Sequence, residues 1–511
     1  MVGINGATRA ILRSLLGMAV LFGSGTEAAA APLFGRPASY DVDGAPLGVG
    51  SLELDGGDGL DIITANGTGE EGPSLSLLLN RGEGSFLPET RINVNGYSFQ
   101  TAVAADFNAD GFGDIAVAGD IFEFPVRGVV LVFLNDGSGG FAAPLEYRLP
   151  GVFPRCLETG YVNADAALDL VACHSPLSGS TVGGLVSVLR GNISQGMPTG
   201  QFTPPSGAQF SVAVGTEPAS ADVGAVDGDA NADIVVGDPV AAAVYVLYGT
   251  GSGLAAPQLV GEVAAASAVG VMPAEAGLAR VAATSRSRGR LMIFEQPVAR
   301  SFELLQEYQT LLPSALRVAD FDMDDRADVA VATSLGAELW TGLADGRVER
   351  AELIFTATFG TLSVIDLELG DFNDDGRIDI VASSSDDDRV TVVLNGADAP
   401  FTPTNTPTIT NTPTRTNTPT RTNTPTRTAT PTQTRTFTRT STTPTLTPTP
   451  IVTTTPAGPG DANCDGRIDE ADVIGVVVRM FAPGCAAADA NGDGVVNAAD
   501  IVFMLQLLES R

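Results

Sequence analysis

Through most of the chain, apolar and polar residues alternate in short runs broken by clusters of Gly, Asn and Asp, with no helix-length amphipathic period to compete. Segments such as "SLSLLLNRGEGSF" from Ser74, "GVVLVFLNDGSGGF" from Gly128, "AVYVLYGTGSGL" from Ala243 and "RVTVVLNGADAPF" from Arg389 each read as a strand closed by a Gly-rich turn, often with a Phe after it. Ahead of them lie acidic turns that run directly into a further strand. Three are complete: "ADFNADGFGDIAVAG" from Ala105, "ADFDMDDRADVAVAT" from Ala319 and "GDFNDDGRIDIVASS" from Gly370. Each places Asp or Asn at turn positions 1, 3 and 5 and Asp at position 9.

Weaker copies fill the intervals. "SLELDGGDGLDIITA" from Ser51 reads with its acids out of step, "GYVNADAALDLVACH" from Gly160 has Tyr161 at position 1, and "GAVDGDANADIVVGD" from Gly224 has Ala225 there. "GLARVAATSRS" from Gly277 keeps the strand but puts Arg280 at position 9. The ninth positions are then Asp61, Asp114, Asp169, Asp233, Arg280, Asp328 and Asp379, spaced 47 to 64 residues apart. A period of about fifty residues holds roughly four short strands, and seven such units arranged radially make an all-β, seven-bladed β-propeller, which hides nearly every sheet edge. A β-sandwich array or a solenoid is the rival, but sandwiches do not demand one acidic turn at a fixed place in every unit.

At these turns the chain resembles the FG-GAP or VCBS repeat family, the calcium-bearing β-propellers typified by integrin α-subunit heads. The resemblance covers about residues 37–401. It implies that alternate residues of the turn aim oxygens at a Ca2+ ion, positions 1, 3, 5 and 9 giving side chains and position 7 a backbone carbonyl. Carried over, the ligands are Asp106, Asn108, Asp110 and Asp114; Asp320, Asp322, Asp324 and Asp328; and Asp371, Asn373, Asp375 and Asp379. The sets Asn163, Asp165 and Asp169, and Asp227, Asp229 and Asp233, each lack one ligand, and the Arg280 copy is expected to hold no metal. Without an ion, the same residues make Asx-turns.

Composition divides the chain further. Residues 402–460 are dominated by "TNTPTRTNTPTRT" and can bury no core, so they read as an extended Thr/Pro-rich linker, reaching on the order of 170 Å at about 3.1 Å per residue. Residues 1–31 read as an export signal, with Arg9 and Arg13 before the apolar "LLGMAVLF" and small residues near Ala30; an uncleaved anchor is the alternative. No later segment is long and apolar enough to span a membrane, so the expected location is secreted or cell-surface. An exported chain favours disulfides, and the four cysteines form two local pairs, Cys156 with Cys173 and Cys464 with Cys485. The net charge of −32 makes nucleic acid and anionic membranes poor partners and cations good ones. The single His174 removes most histidine-based catalytic and zinc schemes.

The module at residues 461–511 carries two twelve-residue loops, "DANCDGRIDEAD" and "DANGDGVVNAAD", with oxygen ligands at 1, 3, 5, 9 and 12 and Gly at 6. The ligands are Asp461, Asn463, Asp465, Asp469 and Asp472, and Asp489, Asn491, Asp493, Asn497 and Asp500, with the carbonyls of Arg467 and Val495 at position 7. Each loop leads into an apolar helix and neither follows one. A loop-plus-helix unit repeated after 28 residues, with Asp at 12, resembles a type I dockerin more than a regular EF-hand pair. The resemblance implies docking onto a cohesin-type partner on a scaffold or surface, usually beside polysaccharide-degrading enzymes. Positions 10 and 11, often Ser-Thr in that family, are Glu470-Ala471 and Ala498-Ala499 here, which puts cohesin specificity in question; a calcium-stabilised cap without a partner is the alternative.

Two function classes follow. One is a non-enzymatic extracellular module whose propeller binds a glycan or protein ligand; the other is a polysaccharide hydrolase or lyase, which needs two carboxyls facing each other, one with a raised pKa. The acids placed by sequence are absorbed by the turns, which favours binding. A single Trp340 and seven Tyr supply no obvious aromatic sugar platform, and Trp340 reads as core.

Overall fold

The computed structural model describes residues 33–396, apart from 58, 70–71, 138–139, 164, 178–182, 274–277, 335 and 357–363. The expected signal segment, the linker and the dockerin-like module, with its calcium ligands and the Cys464–Cys485 pair, lie outside the described residues. Those described form strands and no helices, in seven antiparallel sheets. The innermost strands are Pro46–Leu52, Tyr97–Ala105, Val152–Gly160, Ser220–Gly224, Ala266–Met272, Leu316–Ala319 and Val364–Gly370, and each touches the next around a closed ring. The sheets are blades I to VII of a β-propeller.

Burial explains the sequence pattern. The second strand of a blade is covered on both faces by its neighbours, so Asp114–Ile121, Asp233–Asp238 and Asp328–Thr333 are buried at every residue and read as continuous runs of small apolar side chains. Outer strands such as Leu145–Arg148 alternate between half-buried and exposed. Blade III carries an additional strand, Ser211–Ala213, on its third strand, which accounts for the longest interval between ninth positions.

Ring closure is the feature absent from the sequence reading. Blade VII runs from Val364 to Val393 as three strands, and its fourth is Ala38–Asp41 from the opposite end of the described chain, paired to Arg389–Val393. Ser39 and Thr391 hydroxyls meet at 2.9 Å, Arg389 Nε pairs with Asp41 at 2.7 Å, and Phe34 bridges Asn395. The Cys156–Cys173 disulfide is present, joining directly opposed residues on the first two strands of blade III. Trp340 is core, packed on Tyr308 at 4.8 Å. His174 is buried with Nε2 2.9 Å from the Ser187 hydroxyl, and burial lowers its pKa to about 4, so it stays neutral.

Candidate functional site

The acidic turns all join a first strand to a second, so strand alternation gathers them on one face of the propeller with the turns that follow third strands. The opposite face carries the turns between second and third strands and the crossovers between blades.

In each turn except that of blade V, the ninth-position Asp is buried and clamps the turn. One carboxylate oxygen of Asp114 accepts from Phe107 N (3.0 Å) and the other from Asn135 N (2.8 Å). Asp61 holds Leu54 N and Asn80 N, Asp328 holds Phe321 N and Gly342 N, and Asp379 holds Phe372 N and Asn395 N in the same way. Asp169 and Asp233 likewise join position 2 to the end of the third strand, at Gly191 and Gly249. Burial pushes the pKa of Asp61, Asp114, Asp169 and Asp328 to about 6 and that of Asp379 to about 7, against the backbone donors that lower them. The ninth position therefore fastens two strands before it contributes to any metal.

The residue ending the third strand adds a tie between blades that sequence reasoning missed. The side-chain amides of Asn80, Asn135, Gln296 and Asn395 donate to the carbonyls of Phe372, Leu54, Val226 and Phe321, each at position 2 of the preceding blade's turn, at 2.7–2.8 Å. The signal was legible as the Asn of "LLLN", "VFLN" and "VVLN".

Positions 1, 3 and 5 form nested Asx-turns. In blade VI, Asp320 accepts from Asp324 N and Asp325 N, and Asp324 from Arg326 N; Asp106 and Asp371 do the same in blades II and VII. In blade VI, one oxygen each of Asp320, Asp322 and Asp328 lies within 4.8 Å of the others, and Oδ1 of Asp322 is buried with no hydrogen-bond partner. Desolvation, then Asp324 and Asp320, raise the Asp322 pKa. An orphaned carboxylate oxygen beside two more fits a hard cation; Asp320, Asp322 and Asp328 would hold it, and Asp324 would join them on leaving Arg326 Nη1. In blades II and VII the amides of Asn108 and Asn373 donate to Asp110 and Asp375 (2.8 and 3.2 Å), bonds that an incoming cation would displace.

The remaining turns differ. Blade I departs from the sequence reading: Glu53 stands at position 1 and Asp55 at position 3, in step, with Glu53 Oε1 accepting from Asp55, Gly56 and Gly57 N. Glu53 accepts from positions 3, 4 and 5, where the Asp of blades II, VI and VII accepts from positions 5 and 6; Glu53, Asp55 and Asp61 form a second group able to hold a metal ion. Asp227, Asp229 and Asp233 form a third, but Arg300 of blade V already pairs with Asp227 at 2.6 Å and stacks over Tyr248. In blade III, Tyr161 points into solvent and no carboxylate replaces it.

Two further features lie outside the turns. An axial cavity of about 270 Å³ is lined by all seven first strands and holds Arg317 among Glu158, Asp366 and Glu368, with Asp222 beside it. Arg317 Nη2 lies 3.2 Å from Asp366 and 3.7 Å from Glu368. Ladder register puts Glu158, Asp222, Arg317 and Glu368 in one layer with Gly50, Val103 and Gly270. Desolvation raises Glu158 to about 8 and Glu368 to about 7 against the attraction of Arg317; burial opposes the charge of Arg317, but its four acids push its pKa up. On the face away from the acidic turns, Phe122, Phe124 and Phe153 are 67%, 102% and 54% exposed. Asp120 bonds Phe153 N at 2.9 Å and so joins the blade II loop to blade III.

The FG-GAP-like repeat family matches residues 320–382, from the acidic turn of blade VI into the second strand of blade VII. The chain thus contains an FG-GAP-like repeat within a seven-bladed propeller, an architecture that fits a binding module. No curated protein matches it. Among the described residues no helix is long and apolar enough to cross a membrane.

Proposed function

We propose that the protein is a secreted, calcium-braced propeller that binds an extracellular glycan or protein ligand and is tethered through residues 402–511, the dockerin-like module engaging a cohesin-type or surface partner. The observation that carries this reading is the group of exposed phenylalanines around Phe122, Phe124 and Phe153, on the face opposite the acidic turns. Solvent-exposed aromatics grouped on a rigid scaffold are costly to leave bare and are enriched where partners dock. The turns then serve as braces and leave the other face for recognition.

The test is retention of the full chain on insoluble polysaccharides and on immobilised extracellular proteins, in calcium, for the wild type and a Phe122→Ser, Phe124→Ser, Phe153→Ser triple variant. Retention that the triple variant loses supports the reading; retention equal in both removes it. Hydrolase or lyase activity is the second reading, favoured by the raised carboxyls of Glu158 and Glu368, since a general acid must keep its proton near neutrality. Soluble sugar released by the wild type and abolished in Glu158→Gln would establish it.

A further inference from the structure

Blade V inverts the charge of the repeated turn. Met272 pairs with Arg280 where Ala319 pairs with Asp328, so Arg280 stands at the place the other blades give to a buried Asp. Its Nε is buried with no hydrogen-bond partner, and among the described residues no ion pair neutralises it. The guanidinium lines a pocket of about 230 Å³ between blades V and VI on the acidic-turn face. Gly346 lies over it so closely that a Cβ there would fall 1.9 Å from Cζ, so the cover is backbone alone. Arg326 and Arg347 line the same pocket, but Arg326 Nη1 is engaged by Asp324, and Arg347 Nη2 meets Asp345 at 2.6 Å. The carboxylate in the lining, Asp325, makes no ion pair with Arg280.

We infer that this pocket binds a small oxyanion, the carboxylate, sulfate or phosphate group of a ligand, on the guanidinium of Arg280. Arginine keeps its charge when partly desolvated, and among the described residues Arg280 has no counterion, so an oxyanion reaching it would gain a charge-assisted contact. With Nε closed off, it is the terminal Nη1 and Nη2 groups of the guanidinium that an oxyanion would meet in two-point geometry. Asp325 opposes the anion and sets its affinity low. The site is on the other face from the phenylalanines and stands independently of the function proposed above.

The full chain, in calcium, is dialysed to equilibrium against radiolabelled sulfate at low ionic strength. Saturable binding of one sulfate is expected, weakened on the order of tenfold in Arg280→Met and less in Arg280→Lys, which keeps the charge without the fork. Asp325→Asn, which removes the opposing charge, is expected to tighten binding by roughly threefold or more. Arg377→Met, in the blade VII turn, should leave it unchanged. Competition by glucuronate or by phosphate tells which acid group the pocket prefers. No saturable binding by the wild type, binding as tight in Arg280→Met as in the wild type, or no gain in Asp325→Asn overturns the assignment; should Arg280→Met not fold, the lysine and Asp325→Asn variants decide it.

Discussion

At the scale of single residues, the repeated turn separates two jobs that share one motif. The ninth position is a clamp: Asp114→Ala would leave Phe107 N and Asn135 N buried without an acceptor, a loss of on the order of 3 kcal/mol, whereas Asp114→Asn keeps one acceptor and loses about half. Urea midpoints of the two variants check this order. Positions 1, 3 and 5 are the ones that the proposed cation would take, with the ninth-position carboxylate beside them. Excess chelator should lower the melting temperature of the wild type, and Asp322→Ala should reduce that drop; each site saturated at a hundred times its Kd contributes about 2.7 kcal/mol. An unchanged melting temperature on chelation would remove calcium from the account. The turn was legible because its oxygens are two residues apart in one local segment. The blade I turn reads as out of step in the sequence because its first position is Glu53, and a spacing rule written for Asp and Asn passes over a glutamate.

At the scale of elements, the strands and their sevenfold recurrence could be read from alternation and glycine punctuation, since both are local. The closing strand could not. Ala38–Asp41 is four residues with no turn signature of its own, and what makes it a strand is a partner edge about 350 positions away. Its removal is expected to cost far more than the exposed Arg389–Asp41 pair would suggest. A chain lacking residues 33–41 presents the bare edge of Arg389–Val393 and should unfold at a lower temperature and self-associate, which sedimentation reads directly. The Cys156–Cys173 bridge spans 17 residues, and replacing both with Ser should cost about 3 kcal/mol by chain entropy, measurable as a fall in melting temperature.

At the scale of the molecule, the axial layer exists only once seven first strands are aligned, so residues scattered from Glu158 to Glu368 share it and no stretch of sequence betrays it. Its consequence is a pH dependence of definite sign. Glu158 rises from 4.5 to about 8 on folding, so between those values the folded chain holds a proton that the unfolded chain has lost. Stability contributed by this group is therefore present below about pH 4.5 and lost as pH rises through 8. The neighbouring Glu368 side chain is 29% exposed, so solvent screening moderates the effect. Glu158→Gln, which cannot ionise, should flatten the decline in melting temperature between pH 5 and pH 8; an equally steep decline in the variant would place its origin elsewhere.

The seam that closes the ring has a mechanical meaning. Phe34 faces Asn395, so the two ends of the described chain meet at one point on the acidic-turn face. A pull entering at residue 396 arrives along Arg389–Val393, which is held on one side by Asp379–Ser384 and on the other by Ala38–Asp41. The load runs parallel to both ladders and must shear their hydrogen bonds together, instead of peeling an edge strand one bond at a time. A propeller anchored there and gripped from its phenylalanine face would load the borrowed strand and its neighbour together, so the seam that closes the ring would share the tension.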